Sequence, residues 1–138
     1  NGKIVFDGSG TQTLTGDFST NVIQDLEVNK PSGNVELAAS ATVYVSNLLE
    51  LRGGLIDTRN TGAVFRLQNG IGSYSRTTGY INGPIQVSLS NDNNFTFPIG
   101  KGGNYKPLIL KIADASQTPN PVIWEVEYYD QNALNFVG

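Results

Sequence analysis

Short apolar pairs recur along the first half of the chain at strand rather than helix spacing. Leu26-x-Val28 and Leu49-x-Leu51 lie 23 residues apart, and around them stand Val35 and Leu37, Val43 and Val45, then Leu55, Phe65 and Leu67. Successive strand residues point to opposite faces, so each pair offers two apolar side chains to one side. Polar turns separate the pairs. The strongest is Lys30-Pro31-Ser32-Gly33-Asn34, where Pro presets φ and Gly is free to take φ > 0. A strand with two inward residues cannot make a core alone. Coils of about 20 residues or slightly more, stacked along an axis, join such pairs into one continuous core. The ordinary alternative is a β-sandwich of short strands.

The pattern changes near Thr77-Thr78-Gly79, after which the apolar runs are longer. Ile81 to Leu89, Phe95 to Ile99, Tyr105 to Ile112 and Val122 to Tyr129 each alternate and are bounded by Gly, Asn or Pro, as half-buried antiparallel strands do. Leu108, Leu110 and Ile112 are expected on one face, and Trp124 is expected in the core beside Val122 and Val126. The only weakly helical stretch, Ile112 to Ser116, is short and soon meets Pro119 and Pro121. The fold expected is all-β: short right-handed parallel β-solenoid coils over residues 1–78, then an antiparallel, β-sandwich-like cap over 79–138. Such a cap covers a solenoid end that otherwise exposes unpaired backbone groups.

Composition narrows the chemistry. The chain has no His and no Cys, which removes a Ser-His-Asp arrangement, the commonest general base, disulfides and thiolate metal sites. Its formal net charge is -3 and its nine Lys and Arg are scattered, so nucleic-acid binding is not expected. No stretch approaches the roughly 20 apolar residues that span a bilayer, so membrane insertion is not expected either. The chain has no Met and opens at Asn1-Gly2-Lys3, as expected of a piece of a longer protein.

Several constellations invite a chemical reading. Glu125 and Glu127 lie at i and i+2, about 6.6 Å apart on a strand, a separation that can serve a glycosidase; Asp25 and Glu27 share it. An outward polar face is the plainer reading of both. Asn91-Asp92-Asn93-Asn94 offers oxygen ligands for calcium, yet a single carboxylate is little charge and Asn is a favoured turn residue, so no metal or cofactor is expected. Gly100-Lys101-Gly102-Gly103 lacks the spacing of a phosphate loop. Lys3, Lys106 and Lys111 are candidates for isopeptide chemistry, but nothing in the sequence pairs them. Arg52, Arg59, Arg66 and Arg76 come together only if the coils stack suitably. The aromatic residues carry more weight: Tyr128, Tyr129 and Tyr105 are the candidate ligand-binding residues, with Tyr129 on the outer face beside Glu127.

Two groups of segments resemble known proteins. Asp25 to Asn29, Ser32 to Leu37, Ala41 to Val45 and Leu49 to Thr58 resemble the β-helical repeats of large surface proteins of Bacteroidetes-type bacteria. Gly79 to Ile85, Phe95 to Gly100 and Asn104 to Leu108 resemble the segment that often follows such repeats. The resemblance implies export by the type IX secretion system and display at the cell surface or release from it. It implies no shared catalytic motif. The expected function is a non-catalytic structural or adhesive module, with other domains of the same polypeptide, surface glycans or another surface protein as partners. A carbohydrate-binding module attached to a polysaccharide-acting enzyme is the alternative.

Overall fold

The computed structural model describes residues 2–70, 72–90, 94–112 and 121–130. Among these residues there is no helix. The first half holds β1 (Lys3–Phe6), β2 (Gln12–Leu14), β3 (Asp17–Leu37), β4 (Thr42–Asp57), β5 (Val64–Leu67) and β6 (Tyr74–Arg76). The second holds β7 (Tyr80–Asn82), β8 (Ile85–Leu89), β9 (Asn94–Phe97), β10 (Gly100–Lys101), β11 (Asn104–Tyr105), β12 (Leu108–Lys111) and β13 (Val122–Val126). Of the weakly helical stretch Ile112 to Ser116, only Ile112 is among the described residues.

The chain winds as a parallel β-solenoid of about four turns. β1 lies parallel on β3, β3 on β4, and β4 carries β5, β6 and β7 along its length. The two apolar pairs that are 23 residues apart are direct neighbours, Leu26 against Leu49 and Val28 against Leu51. Inward rows therefore run up the axis. Ile4, Leu26, Leu49 and Tyr74 form one, Val35, Ile56 and Ile81 a second, and Val45, Leu67 and Val87 a third. All their middle members are buried in one core cluster. Each buried Leu, Val or Ile adds about 1.5–3 kcal/mol of hydrophobic stabilisation.

The corners correct two sequence readings. Lys30 to Asn34 does not end a strand. It is an irregular step within β3, whose partners jump from Asn29 on Gly53 to Asn34 on Leu55. Gly33 takes φ 72 there, and a Cβ on it would lie 2.2 Å from the Gly10 carbonyl oxygen of the coil below. Only glycine lets the corners stack that closely. The matching corner at Gly54, φ 76, also shifts the phase of the residues that complete β4. Ile56 is consequently the fully buried residue, while Leu55, expected to face inward, is half-buried.

Parallel pairing continues beyond residue 78. Ile81 to Leu89 is two strands, β7 and β8, each parallel to the coil beneath, and Ile99 makes a further parallel bridge to Ile81. Antiparallel pairing appears at the far end, where β13 lies on β8, β12 lies on β9, and β10 and β11 form a hairpin. The core cluster runs without interruption from Leu26 to Phe97.

Trp124 is not in the core. It continues the inward row above Val87 but belongs to the last layer among the described residues, and it is 38% exposed. Leu108 is the corresponding end member above Phe97 and is also exposed, while Leu110 and Ile112 pack against the core as expected.

Three substitutions separate these contributions. Leu49→Ala is expected to lower unfolding stability by about 2–5 kcal/mol through the cavity it leaves. Gly33→Ala adds a backbone clash to left-handed strain, whereas Gly72→Ala adds strain alone, since nothing lies within 4 Å of its new Cβ. Gly33→Ala is therefore expected to cost more than the roughly 1–3 kcal/mol of strain at Gly72. Urea denaturation of the three variants checks both.

Candidate functional site

Outward positions on the three solenoid faces carry polar ladders, because the same register that aligns apolar rows inside aligns polar side chains outside. On the first face, Lys3 pairs with Glu27 and Glu50 from successive coils. Arg52 contacts the same two acids at 3.0 Å and 2.9 Å. The hydrogen bonds to Glu27 and Glu50 raise the Lys3 pKa above its usual 10.5. The Lys3 bond in turn holds Glu50 below its usual 4.5.

On the second face, Arg59 donates to Asp57 at 2.9 Å through Nε, and Asn60 donates to Glu36 at 2.8 Å. Burial pushes the Asp57 carboxyl up, but the Arg59 bonds outweigh it and leave the pKa lowered. On the third face, the Arg66 guanidinium sits 4.4 Å from the Tyr44 ring centre and donates to Gln86 Oε1, and Gln86 donates to Glu125 at 2.8 Å. Back on the first face, Arg76 stands opposite Leu51, lies 3.4 Å from the Tyr105 ring centre and donates to the Gly79 carbonyl at 2.6 Å. Stacking thus gives each of the four arginines its own partners and does not gather them into one cationic cluster.

The structure separates the candidate tyrosines. Tyr128 and Tyr129 line a cleft of about 370 Å³ at the cap, between the start of β12 and the end of β13, with Ile99, Pro107, Leu108 and Val126 as its apolar walls. Lys106 and Glu127 add polar groups to it. Tyr128 is half-buried against the core, and Tyr129 is 56% exposed, as expected of an outer-face residue. The Lys101 ammonium lies 5.8 Å from the Tyr129 ring centre. A hydrogen bond to Glu127 raises the Tyr129 pKa. Tyr105 does not line this cleft, and the Arg76 guanidinium covers its ring.

The carboxylates considered for glycosidase chemistry are engaged separately, Glu125 by Gln86 and Glu127 by Tyr129. Asp25 accepts a bond from Asn47, while Glu27 belongs to the Lys3 ladder. Asn91, Asp92 and Asn93 of the suggested calcium loop lie outside the described residues, and Asn94 opens β9. Among the described residues no three His, Cys, Asp or Glu form a metal-binding group. Of the lysines considered, Lys3 is in its acid ladder, and Lys111 stands opposite Asn94 with both residues exposed.

Lys30 was hidden in the sequence. It is 3% exposed, and its ammonium donates to the Gly8 carbonyl and to Gln12 Oε1, each at 2.6 Å. It fastens the first corner to the second coil. Its place in a Pro-Ser-Gly turn gives no sign of burial. Tyr74 was likewise undistinguished among the tyrosines. Its hydroxyl donates to the Thr96 carbonyl at 2.5 Å, and burial, with Tyr105 beside it, pushes its pKa to about 12.

Comparisons with protein-family models, curated proteins and solved structures return no match.

The ladders set a pH dependence. Glu50 and Asp57 bind protons more weakly in the fold than in the unfolded chain, so their stabilisation is full above the ordinary values of 4.5 and 3.8 and is lost as pH falls through the lowered ones. Lys3 has the opposite sign: its contribution is present below 10.5 and is lost as pH rises through the raised value. Thermal melts are expected to show near-constant stability around neutral pH and a fall below about pH 4.5. Glu50→Gln is expected to make that acid fall shallower.

Proposed function

We propose that this chain is a non-catalytic structural or adhesive module of a larger bacterial protein that is secreted or displayed at the cell surface. The observation that carries the reading is the double use of one register: apolar rows fill the axis while polar ladders tie coil to coil outside. Such a rod resists bending without a ligand, because every coil is held by backbone, core and side-chain contacts to its neighbours. Its work is mechanical, holding other domains of the polypeptide or a terminal binding surface away from the cell. The resemblance of the repeat and cap segments to surface proteins of Bacteroidetes-type bacteria supports export by the type IX route.

An antibody raised against the folded chain tests the location. It is expected to label intact, unpermeabilised cells of the source bacterium, or to detect the protein in the medium, and to lose both signals when type IX export is blocked. Signal found only after lysis contradicts the reading.

The exposed Tyr129 ring, with Glu127 and Lys101 beside it, favours carbohydrate binding at the cap as the second reading. A sugar ring stacks on such an aromatic face while its hydroxyls reach the charged groups. The spacer reading expects a broad glycan panel to give no retention that depends on Tyr129. Binding that is lost in Tyr129→Ala, with thermal stability unchanged, makes the module a carbohydrate-recognition domain instead.

A further inference from the structure

The two ends of the solenoid differ. At the cap, antiparallel β12 and β13 lie over β9 and β8. At the base, β1 pairs with β3 along one edge and with no other strand among the described residues. Its inward row ends there in Ile4, 37% exposed, although the next members, Leu26 and Leu49, are fully covered. Ile4, Phe18, Val22 and Ile23 border a hollow of about 440 Å³ that opens downward from the core. A row of backbone donors and acceptors beside an open apolar floor is the surface that each coil offers the next one in this fold.

We propose that this base is the seat of a further parallel β-solenoid coil, laid on β1 in the register that β3 takes on its other edge. The proposal rests on the spacer reading and names the neighbour that reading requires, the terminal coil of an adjoining solenoid segment. Continuity with the existing ladder supports it. The occupant needs apolar residues opposite Ile4 and Phe6, as Leu26 and Val28 are on the other side. An acidic residue beneath Lys3 complements its charge, as Asp25 lies above it in the same row. Once seated, such a coil closes the hollow and pairs the free edge. Among the described residues the upper edges of β8 and β9 are taken by antiparallel β13 and β12, so the parallel edge of this kind is the one at the base.

The chain's own second coil provides the probe. Residues 25–47, grafted in place of Asn1 and Gly2, put Leu26 of the graft 23 residues ahead of Ile4, the spacing that separates Leu26 from Leu49. The grafted protein is expected to melt in one cooperative transition at higher temperature than the 138-residue chain. The base-facing amides of Lys3–Phe6 are expected to slow in hydrogen exchange to the rates of β3. A control graft with Leu26, Val28, Val35 and Leu37 changed to Ser is expected to give neither effect. Unchanged exchange of Leu49–Leu51 amides in both proteins confirms that the host remains folded. A disordered graft over a folded host overturns the proposal, as does light scattering that shows base-to-base dimers forming in place of graft docking. Either failure leaves the spacer reading standing, because labelling of intact cells tests that reading separately.

Discussion

The fold depends on parallel, in-register hydrogen bonding between successive coils. Parallel pairing repeats the same residue position from one layer to the next, so an inward residue stands above an inward one and an outward residue above an outward one. The row of Ile4, Leu26, Leu49 and Tyr74 and the outer ladder of Lys3, Glu27, Glu50 and Arg52 are consequences of one register. A slip by one residue would turn the apolar set outward and bring the charges into the core. The glycine corners keep that register by letting the backbone of one coil lie almost against the next.

A stack of this kind has a physical start and finish, and exposure in this molecule follows position in the stack. Among the described residues Ile4 is the first member of an inward row, and Leu108 and Trp124 are the last members of two others. All three are exposed although they have the inward phase. Exposed Ile109 and Ile123 instead have the outward phase, alternating with them along β12 and β13. The two classes differ in meaning. An inward-phase residue is exposed because its layer is terminal and becomes covered when another layer is added; an outward-phase one stays exposed wherever its layer lies.

The interior of the stack was legible in the sequence, and its corners and ends were not. The interval between Leu26-x-Val28 and Leu49-x-Leu51 is the repeat itself, and those residues are direct partners. Periodicity failed where the backbone is irregular. The step from Asn29 to Asn34 keeps a turn-like segment inside β3, and the Gly54 corner moves burial from Leu55 to Ile56. Alternation gave Trp124 the right phase but could not give its layer, which depends on how many strands lie above it. The candidate site was half visible. Tyr128 and Tyr129 share the cap cleft, whereas Tyr105 is drawn under Arg76 by packing between segments far apart in the chain. The buried ammonium of Lys30 depends on the carbonyl of Gly8, a pairing that no local pattern announces.

Because the chain has no Cys, the register can be tested with a single engineered pair. Thr42 and Val64 are outward-facing direct partners on neighbouring coils. Strands in a sheet lie about 4.7–4.9 Å apart, within the Cα separation of roughly 4.4–6.8 Å that a disulfide accepts. Thr42→Cys with Val64→Cys is expected to cross-link quantitatively on mild oxidation and to keep the native melt. Thr42→Cys with Arg66→Cys, offset by two residues at about 8 Å, is expected to stay reduced. Cross-linking of the offset pair, or none of the aligned pair in a folded protein, contradicts the stacked-coil register on which the whole account rests.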